Sequence, residues 1–201
     1  MKVRTILVCL LAFSVMAAGP VLAKKKKKGA VTEPGAYPDW QDHIDLLEVI
    51  QKFKLAEFKN IYVEDLDSSK TELPEKDDNT YQPVQEVLSD PETPFMEGLR
   101  NELSGLKVEA GPGEDGLVVR GTIVKLNPGS RAARYWGGFG AGAAEVRLKL
   151  EVKNGKTGEV LLRVNQERRS GFGVGGGSYT KLLNRSLREI GEDLALVLNA
   201  F

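Results

Sequence analysis

Residues 144–153, AEVRLKLEVK, alternate apolar and charged side chains over ten positions without a break. Successive residues of a β-strand point to opposite faces, so Ala144, Val146, Leu148, Leu150 and Val152 share one face and Glu145, Arg147, Lys149, Glu151 and Lys153 the other. A strand that is dry on one side and wet on the other belongs to a sheet covered on a single face. That favours antiparallel pairing, because strands buried in a parallel sheet read as continuous apolar runs. The partner follows directly: Asn154-Gly155-Lys156-Thr157-Gly158 supplies turn residues, and 159–169 resumes a strand pattern. Burying the five apolar side chains is worth roughly 7–15 kcal/mol gross, but a lone hairpin is only marginally stable in water. A cover is needed, and the end of the sequence offers one. Tyr179, Leu183, Leu187, Ile190, Leu194, Val197 and Phe201 recur at steps of three or four behind Ser178, a good N-cap residue, and predict an amphipathic helix lying on the dry side.

The preceding residues carry weaker signals. Trp40, Ile44, Leu47 and Ile50 fall at helical spacing after Pro38, with Asp39 in the N-cap position, and predict a short amphipathic helix. Residues 58–67, FKNIYVEDLD, read as a first strand, and 68–82 as a polar loop. A broken helical region then spans 83–88 and continues from Thr93 as N-cap and Pro94 in the first helical position, with Phe95, Met96, Leu99, Leu103 and Leu106 on one face. The turn cluster 111–116, GPGEDG, leads into a second strand over 117–126. The expected architecture is therefore α+β: an antiparallel or mixed sheet of about four strands with helices packed on one face.

The 201 residues suit one domain and a leader. Lys2 and Arg4 precede an apolar run over 6–18, then Gly19, Pro20 and a small-residue site ending at Ala23, the pattern of a signal peptide over 1–23 that directs the chain to the periplasm or the exterior. A retained N-terminal membrane anchor is the alternative, since 5–23 is long enough to span a bilayer. The single cysteine, Cys9, lies in this leader, so the mature chain would have no disulfide and no cysteine to carry a lipid. Lys24, Lys25, Lys26, Lys27 and Lys28 open a lysine-rich tail over 24–38, expected to be disordered and able to touch anionic lipid or polymer. One α+β domain is expected over 39–201. Residues 29–201 hold 21 Lys and Arg against 28 Asp and Glu, which is unlike a nucleic-acid-binding domain.

Few patterns point to chemistry. His43 is the only histidine, and without cysteine or a second histidine it has no partners for a zinc site. Glu64, Asp65 and Asp67 lack the glycine and terminal glutamate of a calcium loop. Gly171-Phe172-Gly173-Val174-Gly175-Gly176 matches G-x-G-x-x-G, but a dinucleotide fold needs a further parallel strand bearing an acid, and the sequence ends at Phe201. No nucleophile elbow or phosphate loop is present. Neither catalysis nor a cofactor or metal is expected. The richer segment is 127–143, NPGSRAARYWGGFGAGA, where Arg131, Arg134, Tyr135, Trp136 and Phe139 stand among glycines. Arginine and aromatics dominate binding hot spots, so these five residues are candidates for partner binding; they also suit stacking on a sugar ring, or simple packing beneath the loop.

The runs Leu126-Asn127-Pro128-Gly129-Ser130-Arg131-Ala132 and Arg134-Tyr135-Trp136-Gly137-Gly138-Phe139-Gly140-Ala141-Gly142, with the alternating strand and Thr157-Gly158 after them, resemble the bacterial envelope family catalogued as domain of unknown function 4410, over a core of about 58–201. The resemblance implies a secreted or lipid-anchored envelope protein without an established activity, and this chain departs from the anchored members in lacking the lipid-acceptor cysteine. The order strand, helix, strand, hairpin, helix also looks like the periplasmic domains of curli-export lipoproteins and of lipoprotein activators of cell-wall synthases, an analogy of fold. The expected function is a non-enzymatic periplasmic interaction module, an assembly component that binds an envelope protein or itself. The alternative is a small-ligand or glycan binder, or at the margin a hydrolase.

Overall fold

The computed structural model describes residues 33–41, 43–129, 143–169 and 178–201. Among them a mixed seven-stranded sheet has the order β1-β2-β7-β6-β5-β3-β4. The strands are β1 (Gly35–Gln41), β2 (Ile44–Val49), β3 (Asn60–Val63), β4 (Lys107–Ala110), β5 (Leu117–Asn127), β6 (Glu145–Asn154) and β7 (Val160–Arg169). Three α-helices accompany them: α1 (Tyr81–Leu88), α2 (Glu92–Glu102) and α3 (Tyr179–Leu198). The α+β class and the mixed sheet stand; the strand number is seven rather than about four.

The alternating ribbon forms β6, with Val146, Leu148, Leu150 and Val152 all buried. Asn154 Oδ1 accepts the Lys156 amide at 3.0 Å, and Gly158 takes φ +74°, closing the turn to β7. The ribbon pairs antiparallel with β5 and β7, whereas β3 and β4 join by parallel pairing at the other edge. Helix α3 begins where its pattern predicts, the Ser178 hydroxyl accepting the Lys181 amide at 3.2 Å, and it buries Leu183, Leu187, Ile190, Leu194 and Val197. It packs on β6, β7 and α2. The crossing with α2 is close enough that a Cβ on Gly98 would stand 1.9 Å from the Arg188 carbonyl oxygen, and one on Gly191 2.1 Å from that of Phe95. Both positions therefore require glycine.

The three unexpected strands have separate causes. The expected helix is replaced by the antiparallel β1–β2 hairpin, with Trp40 in β1 and Ile44 and Leu47 in β2, and Asp39 is a strand residue at φ +47°, not an N-cap. A β-bulge between Ile44 and Leu46 inserts one residue into β2, so Ile44 and Leu47 both face inward at a spacing of three, which counterfeits a helical step. Gly35 to Pro38, assigned to the tail by their composition, open β1; it is an edge strand, where proline is tolerated. Strand β4 has four residues and one buried side chain, Val108, too little for any period to register. The strand read over 58–67 shortens to Asn60–Val63, followed by a single bridge from Asp67 to Thr122. Helix α1 starts at Tyr81 inside the expected loop, and α2 starts at Glu92 after Pro91, leaving Thr93 within the helix and Leu103 and Leu106 beyond it.

Candidate partner interface

Asn127 pairs with Glu145, and Glu145 with Arg169, so the end of β5, the start of β6 and the end of β7 lie side by side at one end of the sheet. Segments 130–142 and 170–177 both attach here, although they are far apart in sequence. The β1–β2 turn also lies at this end, since Ile44 pairs with Gln166. The expected contact residues Arg131, Arg134, Tyr135, Trp136 and Phe139, and the glycines 171, 173, 175 and 176, lie outside the described residues.

The wet side of this end is a lattice of ion pairs. Lys125 Nζ meets Glu145 at 3.0 Å, Arg147 Nη2 meets Glu145 at 3.4 Å, and the Arg147 Nε donates to Glu167 at 2.9 Å, with Arg169 also on Glu167. Burial alone would raise the Glu167 carboxyl; hydrogen bonds from Arg147 and Arg169 outweigh it and hold the group below the usual glutamate value. On neighbouring β2, burial and the Glu167 charge push Asp45 up. A cleft of about 590 Å³ opens beside these pairs, between the 72–80 segment and the strand ends, lined by Glu72, Leu73, Asp78, Lys125, Glu145 and Arg169 among others. At its rim Asn127 Oδ1 accepts the Gly129 amide at 2.8 Å, a side-chain turn that starts the chain into segment 130–142.

The dry side of the same end is polar, which the periodicity alone did not announce. Along β7 the inward positions run Leu162, Val164, Gln166, Arg168, so two hydrophilic residues finish an apolar row. Asp193 of α3 meets them: Arg168 Nε donates to Asp193 Oδ2 at 2.7 Å and the Gln166 amide donates to the same oxygen. Burial raises the Asp193 carboxyl, and Arg168 and His43 pull against it. His43 lies in the β1–β2 turn, and its carbonyl accepts the Glu167 amide at 3.2 Å. The sequence did contain a signal for Asp193, an acid set within the buried turn formed by Ile190 and Leu194. Among the described residues no group of three His, Cys, Asp or Glu is placed to hold a metal ion, and no helix is long and apolar enough to cross a membrane.

A model of the domain of unknown function DUF4410 matches residues 61–174, more than half of the chain. The chain belongs to the DUF4410 family. The matched part of this DUF4410 chain opens in β3 and takes in β5, the 127–143 segment, the β6–β7 hairpin and the start of the second glycine-rich segment. Hairpin β1–β2 and helix α3 fall outside it. No curated protein matches the chain. Among solved structures, the PelC dodecamer from Paraburkholderia phytofirmans is similar at 12% identity over 73% of this chain and 96% of that one, with a TM-score of 0.45. A point variant of the same dodecamer gives 13% identity, 74% and 95% coverage and a TM-score of 0.47.

Proposed function

We propose that this DUF4410 chain is a non-enzymatic interaction module of the bacterial cell envelope, secreted by its 1–23 leader, that takes a protein partner on the loop end of its sheet as part of an assembly. The partner is an envelope protein or a second copy of the chain. One observation supports the reading: the Asn127–Glu145–Arg169 register roots both glycine-rich segments on strand ends at one end of a sheet that α3 covers on its dry face. Arginine and aromatic side chains on such a platform are the usual currency of protein recognition. Crosslinking in intact cells, with Arg134→Ala and Trp136→Ala together, tests it. The variant is expected to lose partner capture while keeping the circular dichroism spectrum of the parent. Retained capture, or loss of the fold, overturns the assignment of those residues to a contact surface.

The cleft supports a second reading, a small-ligand or glycan binder, because charged groups of both signs, Lys125, Arg169, Glu145 and Asp78, converge on it. Titration calorimetry with cell-wall glycan fragments separates the two: heat that disappears with Arg169→Ala while partner capture persists favours the ligand site.

A further inference from the structure

The other end of the sheet, marked by the Gly35–Val49 pair and the start of β7, carries a surface that partner capture does not use. Residues 50–59 cross here from β2 to β3, anchored by the Ile50 amide on the Leu161 carbonyl at 2.8 Å and by a 3₁₀ turn at Leu55–Glu57. Phe53 stacks on Phe201 with centroids 4.7 Å apart, and Phe58 meets the Phe53 ring edge-on at 6.2 Å. All three rings are half-buried, resting on the core and open to solvent, and Ile50 is 40% exposed. Lys52, Lys54 and Lys59 alternate with them along the chain and are exposed, Lys52 in an ion pair with Glu33. Against these three lysines the stretch holds one acid, Glu57, whereas residues 29–201 as a whole hold 28 acids to 21 bases. With Glu33, the ionic partner of Lys52, included, the patch holds three lysines to two acids. Among the described residues neither Lys54 nor Lys59 has an ionic partner.

The sequence carries more positive charge within a short length of chain from the same spot. Lys52 Nζ lies 2.6 Å from Glu33 Oε1, and the Tyr37 hydroxyl donates to the Glu33 carbonyl at 2.8 Å, so the chain enters the sheet beside the aromatic cluster. Lys28 is five residues before Glu33. An extended chain covers at most about 3.6 Å per residue, so the length of chain between them limits Lys28 to within about 18 Å of the Glu33 backbone.

We infer that this end of the molecule docks on an anionic phospholipid bilayer, with Ile50, Phe53 and Phe58 seated at the headgroup level and Lys54, Lys59 and the five-lysine run on the lipid charges. Aromatic rings with one face on protein and one open, interleaved with lysines whose stems run along apolar surface, suit an interface that is greasy below and charged above. A single weak anchor holds a protein only transiently, and a second signal such as a polybasic run converts it to stable residence. The strand ends that root segments 130–142 and 170–177 lie at the opposite end of the sheet. The inference does not rest on the partner reading, and each can fail without the other.

The test is sedimentation of the purified protein, in the form cells process it to, with phosphatidylcholine vesicles containing or lacking phosphatidylglycerol. Binding is expected to the anionic vesicles alone and to fall as salt rises. Reversing two charges with Lys54→Glu and Lys59→Glu should weaken it by about tenfold or more, from the contribution of each surface lysine, and Ile50→Ser should weaken it severalfold, both with unchanged melting curves. Equal sedimentation with neutral vesicles, or anionic binding that both variants retain and only removal of Lys24 to Lys28 abolishes, overturns it. So does a concentration-dependent dimer that Ile50→Ser disperses without any change in vesicle binding.

Discussion

The two ends of the sheet are held by different forces. At the loop end the layer between sheet and helix is ionic: Gln166, Arg168 and Asp193 replace the apolar side chains that the rest of β7 and α3 supply. At the far end the corresponding layer is aliphatic and aromatic, with Val152 and Leu162 beneath and the rings of Phe53, Phe58 and Phe201 at the margin. A buried ion pair contributes little net stability against an apolar replacement but makes removal of one partner costly, while a half-buried ring contributes in proportion to the area it covers. The loop end is thus held in one geometry by directional bonds, and the far end by contact area.

The sharpest way to break this contrast is Asp193→Asn. It leaves the Arg168 guanidinium, 17% exposed, with Glu189 at 4.0 Å as its remaining acid, and is expected to cost about 2–4 kcal/mol, measured as a shift in the urea midpoint. Hydrogen exchange should rise first at the end of β7 and in the turn of α3 around Asp193, leaving the amides around Ile50 protected. If exchange rises uniformly, the two ends are not separately held. A smaller loss, about 1–2 kcal/mol, is expected from Phe53→Ala, a fraction of the cost of a fully buried ring because one face is already in water. Its effect should be insensitive to pH and salt, in contrast to that of Asp193→Asn.

The smallest effect sharpens the comparison through pH. The Glu167 carboxyl is held below its ordinary 4.5 by Arg147 and Arg169. A carboxylate with a lowered folded value adds stability that is complete above 4.5 and lost as pH falls through the folded value. The parent should therefore lose stability more steeply than Glu167→Gln as pH drops below that point, and denaturation followed across the acid range reads the difference. Parallel curves would show that the wet-face lattice contributes nothing at this site, as many exposed ion pairs do not.

Legibility followed the same division. The β6–β7 hairpin, its turn and α3 were readable because each has one uninterrupted period and one buried face, so local pattern and tertiary role coincide. Hairpin β1–β2 is not legible because its bulge produces the spacing of a helix, nor is β4, because four residues contain no period at all. Composition alone marks Arg131, Arg134, Tyr135, Trp136 and Phe139 as candidates for contact, and they lie outside the described residues. What the structure contributes is where their segment is rooted. Likewise Asp193 interrupts a stripe visibly, but its partners on β7 lie 25 and 27 residues away and are found only through the packing of helix on sheet.

By itself, then, the amino-acid order determined the α+β class, the one-sided ribbon, the covering helix and the family, since all of these depend on periods and short runs contained within single segments. Only the tertiary structure decided the seven-strand order, the rooting of both glycine-rich segments on strand ends at one end of the sheet and the gathering of Phe53, Phe58 and Phe201 at the other. Those arrangements depend on strand register and on crossings between distant segments, and no local pattern encodes which end of a strand its neighbours will share.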